Sequence, residues 1–144
     1  MREIKFRGKR IDTNEWIYGM NIWGVYEDGV DGLQFVMYSK GDPFEPLGNG
    51  YIKSRPYKVI SETVGQYTGL KDRNGVEIYE GDIVRCTSLE NDHNQKGATF
   101  ISEVGNWQGN TCLLLTFIPI YPFMIFHEIE VIGNIYQNKE LLQN

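Results

Sequence analysis

The sequence predicts a mainly β protein with little helix. Three observations support this fold class: aromatic residues make up 13% of the chain, 16 glycines punctuate it, and alanine, the strongest helix former, occurs once, at Ala98. Short segments also alternate between apolar and polar residues, which is the period of a half-buried strand. We expect an N-terminal β lobe over residues 1–60 and a small, partly open SH3-like β-barrel over residues 61–144.

The predicted strands follow one another along the chain and are separated by turn signals. They are placed at residues 3–7, 16–26, 33–38, 51–60, 76–79, 83–88, 99–104, 112–118 and 128–136. Loops are predicted at residues 39–50 and 90–97, where turn-forming and polar residues cluster without periodicity. Pro56 cannot donate a hydrogen bond to a ladder, so it indicates an edge position or a bulge. The tail QNKELLQN can hold one helical turn.

The segment TGLKDRNGVEIYEGDIV, residues 68–84, places two turns between short strands. Asn74-Gly75 is a strong hairpin signal and predicts a type I′ turn, which needs positive φ at both central residues. Five side chains of this segment could instead coordinate Ca²⁺ or Mg²⁺ through oxygen: Asp72, Asn74, Glu77, Glu80 and Asp82. Their spacing does not fit an EF-hand, and Asp and Asn suit turns, so we favour a folding role over a metal site or a catalytic loop.

Zinc and catalytic chemistry have less support in the sequence. A Cys₂His₂ zinc site could be assembled from Cys86, His93, Cys112 and His127, but the gaps are wide and irregular, whereas structural zinc sites use close pairs. The chain contains neither a Gly-x-Ser-x-Gly elbow nor a Walker-type phosphate loop. We therefore predict no catalytic residues, no cofactor and no metal, and we interpret the two cysteines as buried strand residues.

The formal net charge is −5, and its distribution is uneven. Residues 1–75 hold 11 Lys and Arg against 10 Asp and Glu, whereas residues 76–144 hold 3 against 9. An acidic protein is a poor generic binder of the phosphate backbone. There is no apolar segment typical of a secretion signal, and no uninterrupted apolar run reaches about 18 residues. With only two cysteines as well, we expect a cytoplasmic protein without membrane association.

The first ten residues contain a cationic strip that could contact nucleic acid: Arg2, Lys5, Arg7, Lys9 and Arg10. Alternation places Lys5, Arg7 and Lys9 on one face of a strand, with Ile4 and Phe6 on the other. Cations beside tryptophans (Trp16 and Trp23 follow closely) are typical of surfaces that bind single-stranded nucleic acid. The alternative is a solvated edge strand whose charges discourage aggregation, and we favour that interpretation.

The run FIPIYPFMIF, residues 117–126, is too apolar for an exposed loop and too broken by proline for one strand. It either folds back over the core or forms a subunit interface, because contiguous exposed apolar patches are uncommon on monomers. The candidate interface anchors are Ile120, Tyr121, Phe123 and Phe126, since aromatic residues are enriched at interfaces. The expected assembly is a homo-oligomer.

Three segments together resemble the YopX family of phage and prophage proteins: REIKFRGK with EWIYG at the start, SETVGQYTGLKDRNGVEIYEGDIV in the middle and EVIGNIYQNKELL at the end. The resemblance covers Arg2 to Leu142. It implies a mostly β protein encoded by a phage or prophage, and it implies no established activity. The expected function is a non-catalytic accessory protein acting by self-association and by binding a phage or host protein. The alternatives are a nucleic-acid-binding module that uses the basic strip, and an enzyme that uses the acidic segment.

Overall fold

The computed structural model describes residues 3–20, 22–25, 34–38, 45–46, 52–53, 56–88, 99–107, 110–114, 118–119 and 126–143. In this part of the chain β-strands predominate, and the one helical segment is a short 3₁₀ helix at Lys139–Gln143, inside the tail where a helical turn is predicted. The mainly β prediction is therefore confirmed. The chain divides into two compact units, Met1–Gln66 and Tyr67–Asn144. None of the described helical residues forms a segment long and apolar enough to cross a membrane.

The first unit is built on an antiparallel sheet whose strand order is β2-β1-β7-β4-β3. Its strands are β1 (Phe6–Arg10), β2 (Trp16–Gly19), β3 (Ile22–Val25), β4 (Gln34–Met37) and the first part of β7 (Tyr57–Lys71). Two short strands, β5 (Glu45–Pro46) and β6 (Ile52–Lys53), form a separate pair. The predicted lobe boundary between residues 60 and 61 falls within β7.

The core of the first unit lies on one face of this sheet and is centred on Ile17, Met37 and Val59. Gly8 on β1 points to that face, because a Cβ there would lie 3.0 Å from Met37 Sδ and 3.3 Å from Val59 Cβ. Phe6 shares this face and packs against the core, as the alternation predicts. Ile4 does not, since 59% of its surface is exposed.

The solvated edge strand predicted for the N-terminus is wrong in two respects. β1 lies inside the sheet, paired with β2 on one side and β7 on the other. Its charged face is covered as well, because Lys5, Arg7 and Lys9 keep only 8%, 6% and 6% of their surface. A period of two distinguishes the two faces of a strand but does not reveal which of them is covered.

β7 departs from regular pairing where it passes β1. Arg7 of β1 pairs with Gly65 of β7, but Lys9, two residues further along β1, pairs with Ile60, five residues back along β7. The Thr63 hydroxyl repairs the interrupted ladder, since Oγ1 accepts a hydrogen bond from the Lys9 N–H at 2.9 Å and donates to the Ile60 carbonyl at 2.6 Å. A side chain therefore satisfies backbone groups that the bulge would leave unpaired.

The second unit contains the end of β7, β8 and a sheet of order β12-β11-β10-β9-β13. The strands are β8 (Glu77–Tyr79), β9 (Asp82–Ser88), β10 (Thr99–Trp107), β11 (Asn110–Leu113), β12 (Ile118–Pro119) and β13 (Phe126–Asn134). The core cluster joins Ile78, Val84, Cys86, Val104 and Leu113. Over the described residues this sheet is an open path, so the predicted SH3-like barrel closure is not seen there.

The turn between β7 and β8 differs in type from the prediction. The Gly75 N–H donates to the Asp72 carbonyl at 3.0 Å, which makes Arg73 and Asn74 the central residues. Gly75 has a φ of 82°, whereas Asn74 does not have positive φ. A type I turn followed by a left-handed glycine fits these facts, and the predicted type I′ turn is wrong. The predicted second turn is present, with Gly81 also at a φ of 82°.

Candidate binding surface

Trp16 covers two of the cationic side chains of β1. Lys9 lies directly opposite Trp16 in the ladder and Arg7 directly opposite Tyr18, so these side chains share the face away from the core. Arg7 Cζ lies 4.7 Å and Lys9 Nζ 5.7 Å from the centroid of the Trp16 ring, both within cation–π range. The aliphatic stems of both cations pack while their charged ends face an aromatic ring. Arg7 and Lys9 are therefore packed within the protein and are not exposed to solvent.

The remaining members of the predicted nucleic-acid strip are Lys5, Arg10 and Arg2. Lys5 Nζ lies 3.2 Å from the carboxylate of Glu3, and its residue is buried. Arg2 lies outside the described residues. Phosphate contacts need cations that a ligand can reach, and Lys5, Arg7 and Lys9 are each covered. The nucleic-acid contact stays a prediction.

Arg10 is the described cation of the strip that is not buried, and it binds a neighbouring carboxylate. Its Nε and Nη2 donate to Asp12 Oδ1 and Oδ2 at 2.9 and 2.6 Å. The Arg10 guanidinium also lies 4.2 Å from the centroid of the Tyr57 ring. The hydrogen bonds from Arg10 lower the pKa of Asp12 and those to Asp12 raise the pKa of Arg10. A phosphate would have to compete with this bidentate pair.

Large apolar side chains on β2, on β3 and in the connection between them are exposed to solvent. Tyr18, Met20 and Trp23 keep 43%, 61% and 60% of their surface, and they lie within six residues of chain. Trp23 lies opposite the buried Val36, on the sheet face away from Ile22 and Met37. We call Tyr18, Met20 and Trp23 the outer apolar row. The sequence analysis predicts a strand at residues 16–26, but it does not identify these side chains as exposed.

In the acidic segment, the carboxylate of Asp72 is used to hold backbone. Its Oδ1 accepts hydrogen bonds from the N–H groups of Asn74 and Val76 at 2.8 and 2.9 Å, and its Oδ2 accepts one from Val131 N–H at 3.0 Å. Burial opposes ionisation of this group, but the three donors outweigh it and lower the pKa of Asp72. These hydrogen bonds give Asp72 a folding role, which is the interpretation that the sequence analysis favours.

The neighbouring acids also bind within the protein. Asp82, which keeps 2% of its surface, accepts a hydrogen bond from Tyr79 N–H through Oδ2 at 2.8 Å. Glu77 accepts a hydrogen bond from the Tyr79 hydroxyl at 2.8 Å. Among the residues that the structure describes, no three His, Cys, Asp or Glu side chains converge as a metal site would require. Asp72 and Asp82 are both buried.

Comparison with known proteins identifies the family of this chain. A family model described as YopX protein matches residues 5–143. The chain belongs to the YopX family. The structure is similar to the crystal structure of protein EF1440 from Enterococcus faecalis, with a TM-score of 0.57, 26% sequence identity and coverage of 96% of this chain and 97% of that chain. No curated protein matches the chain.

The two cysteines of this YopX family member have buried surroundings that make their thiols unreactive. Cys86 and Cys112 are both buried and free, as predicted. Burial raises the pKa of Cys86 to about 11 and also raises the pKa of Cys112. His93 and the side chain of His127 lie outside the described residues. The thiols are therefore protonated at neutral pH, which is the unreactive form.

The predicted interface of this YopX family member cannot be placed on the structure. Ile120, Tyr121 and Phe123 lie outside the described residues, and only the backbone of Phe126 is described, in β13. Their contact with another subunit stays a prediction. The sequence analysis missed the outer apolar row as a candidate surface.

Proposed function

We propose that this protein is a non-catalytic phage or prophage accessory protein that acts by self-association and by binding another protein. The observation that carries the proposal is the outer apolar row. Isolated exposed apolar residues are ordinary on a protein surface, but Tyr18, Met20 and Trp23 are close in sequence and large. Tyrosine, tryptophan and methionine are also enriched at interfaces.

The charge distribution supports a second copy of the chain as the first occupant of this surface. The unit that carries the row, residues 1–66, has 9 Lys and Arg against 9 Asp and Glu, so its formal charge is zero. Residues 67–144 have 5 against 10. Two copies that meet through their first units bring together units of zero formal charge, whereas two second units would repel each other.

The test is sedimentation velocity at micromolar concentration on three variants beside the parent protein. Trp23→Lys and Met20→Lys place a charge in the row and should convert oligomer to monomer. Val76→Lys is the matched control, because Val76 is an apolar side chain in the second unit with 48% of its surface exposed. It should leave the assembly unchanged. A parent protein that is monomeric at all these concentrations would overturn self-association.

Two further variants separate this surface from the interface predicted at residues 117–126. Tyr121→Lys and Phe123→Lys should have no effect on the oligomer if the outer apolar row forms it. Loss of the oligomer in these variants, with none in Trp23→Lys, would transfer the interface to that segment. Capture of a host or phage protein by the parent, but not by Trp23→Lys, would identify the row as the partner surface too.

The nucleic-acid alternative is tested by fluorescence polarisation with labelled single-stranded oligonucleotides at low salt. We expect no binding that weakens as salt is added, because Lys5, Arg7 and Lys9 are buried and Arg10 is paired with Asp12. Salt-sensitive binding that is lost in Arg7→Gln and Lys9→Gln would favour the alternative and would contradict the proposal.

A further inference from the structure

β13 is the last strand of its sheet in the described residues, yet part of its open edge is occupied by the β7–β8 turn. The Arg73 N–H donates to the Ile129 carbonyl at 3.0 Å, and the Val131 N–H donates to Asp72 Oδ2 at 3.0 Å. A neighbouring strand would supply an amide and a carbonyl at these two positions. Here the backbone of Arg73 supplies the amide, and the carboxylate of Asp72 stands in for the carbonyl.

Ion pairs hold the same turn against the strand. Arg73 Nη1 lies 2.7 Å from Glu128 Oε2, and Arg73 Nη2 lies 3.9 Å from Glu130 Oε2. Arg85 Nη1, on β9, lies 3.3 Å from the same Glu130 oxygen. Exposed ion pairs contribute little on their own, so the two hydrogen bonds to the backbone of β13 are the specific part of the contact.

An uncovered strand edge is a template for another strand, and natural proteins block such edges. The partner at hand for β13 is β13 of a second copy, because a two-fold axis beside an edge strand pairs it antiparallel with itself. The strand is nine residues long and alternates apolar Ile129 and Val131 with Glu128 and Glu130, a pattern that suits an added strand.

We propose that the turn at residues 72–76 guards the edge of β13, and that β13 released from this guard pairs with β13 of a second copy. The proposal is independent of the outer apolar row, which lies in the first unit. The carboxylates of Glu128 and Glu130 in both copies oppose the pairing at low salt, so added salt promotes it.

The decisive comparison is Arg73→Pro against Arg73→Ala, both in a Trp23→Lys background. Both substitutions remove the ion pairs of Arg73, but only proline also removes the N–H that reaches Ile129. Proline is favoured at the second position of a type I turn, so the turn itself is kept. Any difference between the two variants therefore reports the backbone bond to β13.

The expected result is a rise in sedimenting mass from monomer to dimer in the proline variant, increased by salt, and none in the alanine variant. Amide exchange at Val131 should be faster by about tenfold or more in the proline variant, because the edge opens. Faster exchange without a change in mass would overturn the pairing with a second copy, and unchanged exchange would overturn the guard itself.

Asp72→Asn is the second variant, should the proline variant fail to fold. An amide side chain can keep the two bonds of Oδ1 while it presents an N–H₂ group to Val131, so it opens the edge and retains the turn. It should reproduce the faster Val131 exchange and the rise in mass. Each result is read against the Trp23→Lys parent, so failure of the outer apolar row to form the oligomer alters the parent and leaves the comparison intact.

Discussion

The indole ring of Trp16 lies 4.7 Å from the guanidinium carbon of Arg7 and helps to cover it. Arg7 keeps 6% of its surface, although the sequence places it in a cationic strip of the kind that nucleic-acid-binding proteins expose. The residue that could have stacked on a base instead stacks on the protein's own cations. The first unit therefore exposes the residues of the outer apolar row, whereas Lys5, Arg7 and Lys9 of the predicted basic strip are buried.

Trp16 and Trp23 are therefore predicted to contribute unequally to the stability of the protein. Trp16→Ala should lower the free energy of unfolding by about 2–3 kcal/mol, because it removes packed aromatic surface from Arg7 and Lys9. Trp23→Ala should cost less than about 1 kcal/mol, because Trp23 is 60% exposed. Urea unfolding at neutral pH measures both values. Equal losses would contradict the covering role of Trp16.

The hydrogen bonds of the Asp72 carboxylate predict that replacing Asp72 by asparagine reduces stability less than replacing it by alanine. Asp72→Asn loses the bond to Val131 and should cost about 2 kcal/mol, since hydrogen bonds to charged groups contribute about 1.5–3 kcal/mol. Asp72→Ala also loses the bonds from Asn74 and Val76 and should cost more, about 3–4 kcal/mol. Chemical denaturation of the two variants and the parent tests the order. An equal loss of stability in Asp72→Asn and Asp72→Ala would contradict the assignment of the Asn74 and Val76 bonds to Oδ1 and of the Val131 bond to Oδ2.

The lowered pKa of Asp72 also predicts how the stability of the protein depends on pH. The pKa of Asp72 is lowered in the folded protein, so its contribution is fully present above the unfolded pKa of about 4 and is lost as pH falls through the folded pKa. The stability difference between the parent and Asp72→Asn should therefore be largest at neutral pH and shrink towards pH 3. Unfolding measured from pH 7 to pH 3 follows this difference. A difference that grew on acidification would refute the assignment.

Gly75 and Gly81, two of the three glycines with positive φ in residues 68–84, are predicted to differ in their tolerance of a side chain. A Cβ at Gly75 would meet nothing within 4 Å, so Gly75→Ala should cost only the backbone strain, about 1–2 kcal/mol. A Cβ at Gly81 would lie 3.1 Å from Tyr136 Cε2, so Gly81→Ala should cost more. Gly75→Asn serves as the control, because asparagine tolerates positive φ and should recover part of the loss. Thermal unfolding of the three variants ranks them, and a more tolerant Gly81 would contradict the structure.

The buried thiols predict slow modification of the native protein. Because burial raises the pKa of Cys86 to about 11, very little thiolate is present at pH 8, and the raised pKa of Cys112 acts in the same direction. Ellman's reagent should titrate both thiols only after denaturant is added. The control is the protein in concentrated denaturant, where both should react at once. Rapid reaction of either thiol under native conditions would show that its strand is accessible.

Local patterning in the sequence was enough to predict several strands and the positions of the turns, but it missed the part of β7 from residue 61 to residue 71 and gave the wrong type for the turn at Asn74-Gly75. Alternation located β1, β2, β9 and β13 within a few residues, and glycine with its neighbours located the turns at Gly75 and Gly81. These signals are local because each strand and turn follows from the conformational preferences of a few consecutive residues. The motifs of the three quoted segments also indicated the family, which the family match confirms.

The tertiary structure decided which face of each strand is covered and which long-range partner each polar group has. A strand of period two has two distinguishable faces, and only packing against β2 and β7 determined that Lys5, Arg7 and Lys9 lie on a covered one. Asp72 reads as a turn residue, yet its third hydrogen bond comes from Val131, 59 residues away. Local propensity carries no information over that distance, so the contact between the turn and β13 appears only when the chain is folded.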